Sequence, residues 1–369
     1  MSSPTLRPVD PALELRSFIE SVDSQLPTIA TSASPLPFRR SGLGASGLTF
    51  LPLIPETNFV MKFQSSVQTE SEALATEVFR KIFPQFSIPN VYQKTHLLER
   101  HRKDMIPILG KLEIQKKDSA AESVLFMRYK QGSNLKYLTS GGQIFKLPRE
   151  QFIYLFRSIG EIAGADLLIG NCDRFVLKNF RGEIDDTHMI NSGNIMLEFP
   201  VQDFERAFQE IKNIHVIDNG PALLQFFEKS ENRGLAAKSK EKDLGGQLRT
   251  NRFEDFKFYL NASDDQIQAL ATQIYIGFIN SSWDALTTTQ ETEPPFTSKE
   301  EMGLFFSQMP DLIEAIAAGL QLTRRKLKSE HFRDKIEQVL VESSQKEPGT
   351  QIYKNFIQSN VDLAKGASS

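Results

Sequence analysis

Asp166-Leu167-Leu168-Ile169-Gly170-Asn171-Cys172-Asp173-Arg174 joins an apolar segment to a polar turn that contains a glycine. Two later passages repeat this design, namely Ser192-Gly193-Asn194-Ile195 and His215-Val216-Ile217-Asp218-Asn219-Gly220. A polar residue that directly follows a buried strand or helix stands on a rigid support, and such loops often carry binding and catalytic groups. The three passages therefore predict one polar site that contains Asp173, Asn194 and Asp218.

The residue types of this site suit phosphoryl transfer from ATP. That reaction needs a carboxylate to orient the attacking hydroxyl, and it needs oxygen ligands for Mg²⁺ or Mn²⁺. Asp173 is the predicted base, and Asn194 and Asp218 are the predicted metal ligands. Ordinary protein kinases place the metal-binding Asn about five positions after the catalytic Asp. Asn179 is closer to that spacing than Asn194, so Asn179 remains the alternative ligand.

A glycine-rich segment lies earlier in the chain, where Gly42, Gly44 and Gly47 match the pattern GxGxxG. Glycines let backbone N–H groups approach phosphate oxygens, so these three are predicted to bind the nucleotide. A dinucleotide-binding fold would place a helix directly after the motif, whereas strand-forming sequence follows here.

The strand-forming sequence ends in a lysine. Leu48–Ile54 and Asn58–Phe63 predict two strands that are joined by a turn and form a hairpin. Lys62 stands near the end of the second strand. Kinases use a lysine in this position to contact the α- and β-phosphates, so Lys62 is predicted to do the same.

Such a lysine needs a carboxylate partner from the next helix. Thr69–Phe83 has apolar residues at helical spacing, and the predicted helix stops before Pro84. Glu77 is the first choice for the partner because it lies in the middle of this helix among apolar neighbours. Glu72 and Glu70, nearer the start, are the alternatives.

The rest of the chain is predicted to be mostly helical. Arg149–Ile169 has one apolar face along its whole length, and Lys299–Leu320 and Arg333–Val341 are also amphipathic. Lys229–Arg252 is charged and has few apolar residues, so we predict a mobile insertion there.

Composition narrows the class of protein. The chain has 369 residues, of which 40% are hydrophobic and 24% are charged, as in ordinary globular proteins. Its net charge of −3 argues against nucleic acid as a partner.

No apolar run predicts a transmembrane segment, and no segment at the start resembles a secretory signal. The single Cys172 cannot form an intramolecular disulfide, so a cytoplasmic location is expected, including the host cytosol if the protein is delivered by a bacterium.

The motifs DLLIGNCDRF, SGNI and VIDNG resemble the catalytic-loop and metal-loop motifs of the actin-fragmin kinase family. That family is similar to phosphatidylinositol 3- and 4-kinases and to HipA-type kinases. The resemblance spans roughly Gly42 to Gly220. It implies an α+β, two-lobed protein-kinase-like fold with a small β-rich N-lobe and a larger helical C-lobe. The expected division is an N-terminal extension at 1–37, an N-lobe at 38–130, and a C-lobe with a helical C-terminal extension at 131–369.

The resemblance also implies roles for individual residues. Asp218 corresponds to the aspartate of the DFG motif, and the strand SVLFMRY corresponds to the hinge beside adenine, with Met127 and Tyr129 as nucleotide contacts. Three features depart from ordinary kinases. The chain has no HRD motif, Asn219 replaces the phenylalanine of DFG, and no APE-type activation segment is present.

The function expected from these features is that of an atypical Ser/Thr protein kinase with ATP and Mg²⁺ (or Mn²⁺) as cofactors. The family name suggests actin or another cytoskeletal protein as the substrate. A phosphoinositide or small-molecule kinase is the alternative, and a pseudokinase that acts as a binding module is the third.

Two basic clusters offer sites for an anionic, phosphate-rich ligand. One contains Arg100, His101, Arg102 and Lys103. The other contains Arg324, Arg325, Lys326 and Lys328. The commoner explanation for such clusters is a solvated helix face.

Overall fold

The computed structural model describes residues 11–31, 38–44, 47–52, 59–94, 123–128, 132–171, 173–175, 188–200, 210–217, 219–220, 244–288, 295–343 and 347–367. These residues form a mixed helical and β-sheet protein with two compact units. The first unit comprises residues 1–73 and 89–130, and the second comprises residues 74–88 and 131–369. Residues 74–88 thus belong to the second unit, whereas the expected N-lobe at 38–130 included them.

The first unit is built on a five-stranded antiparallel sheet of order β1-β2-β3-β5-β4. Its elements are α1 (Pro11–Thr31), β1 (Phe38–Gly44), β2 (Gly47–Pro52), β3 (Phe59–Gln64), β4 (Val91–Lys94) and β5 (Ser123–Arg128). Helix α2 (Ser66–Ile82) follows β3 and continues into the second unit. The hairpin and the helix predicted from the sequence are therefore present.

Strand β3 is buried on both faces. Phe59, Met61 and Phe63 alternate along it and point to one face, as the two-residue period of a strand requires. The opposite face carries Lys62 and Gln64, which are also buried. A strand with an apolar face and a polar buried face holds its lysine in a fixed position.

Helix α1 lies in the segment that the sequence assigned to an N-terminal extension. Its Phe18 and Val22 are buried, and Glu14 forms an ion pair of 2.6 Å with Arg128 at the end of β5. The helix is thus part of the first unit.

The second unit is mostly helical. Its helices are α3 (Leu135–Ser140), α4 (Arg149–Ile169), α5 (Leu244–Asn261), α6 (Asp264–Thr288), α7 (Lys299–Ser307), α8 (Asp311–Lys328), α9 (Glu330–Glu342) and α10 (Pro348–Gly366). A small sheet of order β6-β7-β8 is formed by β6 (Ser133–Asn134), β7 (Ile195–Glu198) and β8 (Asn213–Val216). Among all the helices described, none combines the length and the apolar composition that a bilayer span requires.

Two predictions about the helices are wrong in part. The predicted helix Lys299–Leu320 is two helices, α7 and α8, with Pro310 at the start of the second. Proline lacks the N–H that a continuing helix would need. The predicted mobile insertion is helical from Leu244 onward, because α5 buries Phe256 and Tyr259 in the core.

The core of the second unit lies between α4 and α8. An added Cβ on Gly160 would lie 2.1 Å from the carbonyl oxygen of Ile316, and one on Gly319 would lie 2.1 Å from that of Arg157. The two backbones therefore touch, and only glycine fits at these positions. Seven phenylalanine rings pack around one end of this pair: Phe145, Phe152, Phe156, Phe278, Phe296, Phe305 and Phe306.

The C-terminal end of α4 is held by α10. Helix ends leave carbonyl groups without intrahelical partners. Here the Tyr353 hydroxyl donates to the carbonyl of Ile169 at 2.8 Å, and the Asn360 amide donates to that of Leu168 at 2.7 Å. Gly170 ends the helix in the left-handed conformation, with φ of 68°. The loop that begins at Asn171 therefore starts from a fixed point.

Candidate functional site

Lys62 and Glu72 form a buried ion pair in the first unit. Lys62 Nζ lies 2.8 Å from Glu72 Oε2, and the side chains are 3% and 4% exposed. The amide of Gln64 donates to the same carboxylate oxygen at 3.1 Å. The start of α2 is further joined to β5 by a hydrogen bond of 2.7 Å between Ser66 and Ser123. The pair is therefore held by the strand and by the helix that follows it.

The structure pairs Lys62 with Glu72 and not with Glu77, the first choice from the sequence. Glu77 instead binds Arg80 on the partly exposed side of α2. Five positions along an α-helix rotate a side chain by about 140°, so Glu72 and Glu77 point in different directions. Glu72, one of the two alternatives given by the sequence, is thus the residue that pairs with Lys62.

The predicted nucleotide-binding glycines lie at the hairpin of β1 and β2. Gly42 and Gly44 are in the last part of β1, Gly47 is the first residue of β2, and Gly44 pairs with Gly47. Met127 lies on β5, between Val60 of β3 and Val91 of β4 in register. Tyr129 lies outside the described residues.

The carboxylate of Asp173 is held by two asparagines in the second unit. Its Oδ2 accepts hydrogen bonds from the side-chain amides of Asn191 at 3.0 Å and Asn194 at 2.9 Å. The backbone N–H of Asp173 donates to Asn171 Oδ1 at 2.9 Å. Two amide donors on one oxygen fix the direction of the carboxylate, and no side chain among the described residues donates to the other oxygen.

Asn194 joins Asp173 to the end of β8. Its backbone carbonyl accepts from the N–H of Ile217 at 3.2 Å, because β7 and β8 pair antiparallel directly beside it. Because Nδ2 of Asn194 binds Asp173, its Oδ1 is the atom that a cation would meet. Amide oxygens are among the donors that Mg²⁺ accepts, and within the described residues Asn194 Oδ1 is the predicted ligand atom available to such an ion. Asn179 and Asp218 lie outside the described residues.

The buried side chain of Arg174 links α4 to the segment around position 218. One guanidinium nitrogen donates to Asp166 Oδ1 at 2.5 Å, and the other donates to the carbonyl of Ile217 at 2.7 Å and to Asn219 Oδ1 at 2.9 Å. Its side chain is fully buried. The fork of an arginine can bind several acceptors at once. Arg174 therefore fixes the residues on both sides of position 218 relative to α4.

Asp166, the partner of Arg174, is wholly buried. Burial raises the pKa of its carboxyl from 3.8 to about 7, although the Arg174 guanidinium opposes this shift. The negative charge of Asp173 adds a smaller increase to the same pKa. The proton occupancy of Asp166 thus changes near neutral pH.

A cavity of about 390 Å³ opens beside Asp173 within the second unit. Its lining includes Asp173, Met189, Asn191 and Ser192, together with Lys136 of α3 and Asp284 of α6. The predicted base is therefore accessible to a molecule that enters this cavity.

The basic cluster on α8 is partly engaged within the protein. Arg324 donates to the carbonyl of Ala262, and Lys326 lies 3.5 Å from Glu161 and over the ring of Phe83. Burial lowers the pKa of Lys326. The other basic cluster, at residues 100–103, lies outside the described residues.

Two residues of the site were not found from the sequence. Asn191 precedes the SGNI motif and contacts Asp173 because an isolated antiparallel β-bridge between Phe175 and Ile190 brings the two segments together. Arg174 lies in the motif DLLIGNCDRF, but no local sequence pattern predicts that its side chain is buried. Within the described residues, no group of three His, Cys, Asp or Glu side chains is arranged to hold a metal.

Comparison with known proteins adds no relative: no protein-family model matches the chain, and no curated protein is significantly similar to it.

Proposed function

We propose that the protein is an ATP-dependent kinase that transfers the γ-phosphate to a serine or threonine hydroxyl of a protein. The observation that carries the proposal is the buried pair of Lys62 and Glu72. Protein kinases require a lysine on their third strand that binds the α- and β-phosphates and pairs with a glutamate of the next helix. Lys62 is on β3 and Glu72 is on the helix that follows. A buried ion pair adds little stability by itself, so its presence here supports a functional role.

Asp173 and Asn194 support the same proposal from the second unit. In phosphoryl transfer a carboxylate accepts the proton of the attacking hydroxyl, and positioning supplies most of the catalysis. Asp173 would be this base, with its direction set by Asn191 and Asn194. Mg²⁺ held by Asn194 and Asp218 would neutralise charge on the phosphate oxygens. The proposed acceptor is a protein, and actin or another cytoskeletal protein is the first to test.

The experiment compares substitutions of Glu72 and Glu77 on α2 with substitutions of the other predicted site residues. The protein is incubated with labelled ATP, Mg²⁺, purified actin and cell lysate, and labelled species are identified by mass spectrometry. Lys62→Ala and Glu72→Gln should each lower transfer by about 100-fold or more, because the lysine loses its phosphate contact or its orientation. Asp173→Ala and Asp218→Ala should abolish transfer.

Glu77→Gln is the matched control, since it is the same change on the same helix and should leave transfer unchanged. Equal activity in Glu72→Gln and the wild type would contradict the role given to the ion pair. Label on lipid would favour the phosphoinositide alternative, and no label at all would favour the pseudokinase.

A further inference from the structure

The cavity beside Asp173 has a distinctive charge pattern. Lys136 and Asp284 line it and are exposed, and neither forms an ion pair within the part of the chain that the structure describes. With Asp173, the described lining carries two carboxylates and one ammonium group, a net charge of −1. A ligand in this cavity can therefore pair with either sign of charge, and a cationic ligand is favoured.

One wall of the cavity is rigid. The N–H of Ile190 donates to the Ser281 hydroxyl at 2.8 Å, and the Asn280 amide donates to the carbonyl of His188 at 2.7 Å. Ser281 and Asn280 of α6 thus hold the segment that leads into Asn191. Met189, in the middle of this segment, remains 41% exposed and offers an apolar contact to a ligand.

We infer that this cavity binds the phosphoacceptor, and that the acceptor is a serine or threonine followed or preceded closely by an arginine or lysine. The inference rests on the proposed kinase function, because it places the acceptor hydroxyl at Asp173. The exposed carboxylate of Asp284 then pairs with the basic side chain, and the hydrocarbon part of that side chain packs on Met189. A volume of about 390 Å³ accommodates a short peptide segment.

The same charges disfavour a phosphoinositide headgroup. Recognition of phosphate groups generally uses several Arg or Lys side chains. Lys136 is the cation among the described lining residues, and two carboxylates face it in the same cavity. A polyanionic acceptor would be repelled by these carboxylates.

The test measures kcat/KM for peptides that contain one serine and either one arginine or one glutamate at each neighbouring position. The wild type should prefer the arginine peptides by about three- to ten-fold, the range expected for a partly exposed charge pair. Asp284→Lys should abolish or reverse this preference, and Lys136→Ala should increase it. Asp284 lies near the C-terminal end of α6, where a lysine is favourable for the helix, so the variant should fold.

Asp265→Lys is the matched control. It makes the same change at an exposed position of the same helix, about 28 Å away along the helix axis, and should keep the wild-type preference. A preference that is unchanged in Asp284→Lys, or transfer to phosphatidylinositol vesicles and not to peptides, would overturn the acceptor assignment while the kinase function stands. If the wild type transfers phosphate to nothing and MgATP does not raise its melting temperature, the proposed function itself is wrong.

Discussion

The guanidinium of Arg174 binds three acceptors in the second unit. It contacts Asp166 on α4, and it contacts Ile217 and Asn219 on either side of position 218. A lysine would present one ammonium group in place of the planar fork and would not reach all three acceptors with the same geometry. The choice of arginine at this position is explained by the number of acceptors that surround it.

Asp166 should make the stability of the second unit decrease as pH rises. Its pKa in the folded protein, about 7, lies above the ordinary value of 3.8 because of burial. Between these two values the folded chain binds more protons than the unfolded chain, so the free energy of unfolding falls with increasing pH. Asp166→Asn removes this contribution. Urea unfolding at about pH 5 and about pH 8 should show a larger decrease for the wild type than for the variant.

Asp311→Asn is the control for this experiment, since Asp311 is an exposed aspartate that pairs with Arg149. That variant should follow the wild-type dependence on pH. Parallel curves for the wild type and Asp166→Asn would show that Asp166 does not titrate in this range.

At the scale of elements, α4 and α8 pack closely because Gly160 and Gly319 have no side chains at their contact. Gly160→Ala should lower the free energy of unfolding by about 1–3 kcal/mol, because the new methyl group would overlap the Ile316 carbonyl. Gly303 lies on α7 with no atom within 4 Å of an added Cβ. Gly303→Ala should therefore raise stability by about 0.5–1 kcal/mol through the better helix propensity of alanine.

Chemical denaturation of the two variants provides the measurement. Equal changes in both would mean that α4 and α8 separate easily enough to admit a methyl group. A gain in stability for Gly160→Ala would contradict the close approach of the two backbones.

The elements that the sequence predicted best are those with strong local signals. Helix α4 begins and ends where expected, because its apolar period is continuous and Gly170 marks its end. The break at Pro310 was missed, although the proline itself was the signal. Helix α10 was not predicted individually, although its buried residues Tyr353, Phe356, Ile357 and Asn360 recur at the three- and four-residue spacing of an amphipathic helix.

The candidate site shows the same division between local and long-range information. Asp173 and Asn194 stand out because each follows an apolar segment in a glycine-containing turn. The choice between Glu72 and Glu77 depends on which side of α2 faces Lys62, and this is set by the register of the sheet. The contact of Asn191 with Asp173 depends on the β-bridge between Phe175 and Ile190, which is not specified by the residues next to Asn191 in sequence.

At the scale of the whole molecule, α10 connects distant parts of the sequence. Asn360 donates to Leu168 across 192 residues of chain. Asn360→Ala would leave this buried carbonyl without its donor, so we expect a loss of about 1–3 kcal/mol in the free energy of unfolding. Asn355→Ala, an exposed change on the same helix, should alter it by less than about 0.5 kcal/mol.

The proposed transfer activity, measured beside stability, would show whether the effect of Asn360→Ala reaches the loop at Asp173. We expect activity to fall in Asn360→Ala at temperatures where the protein remains folded, because the end of α4 is less well fixed. Identical stability in the two variants would contradict the role of α10 as a support for α4.

The support that α10 gives to α4 also sets the order in which the protein acquires its site. During synthesis the loop at Asp173 leaves the ribosome long before Tyr353 and Asn360 are made. Contacts that are distant in sequence form late because closing the intervening chain costs entropy. The nascent second unit therefore exposes the carbonyl end of α4 and its apolar surroundings until α10 is translated. Chaperones that bind such surfaces would find their substrate in this interval, and the loop at Asp173 would reach its final geometry only afterwards.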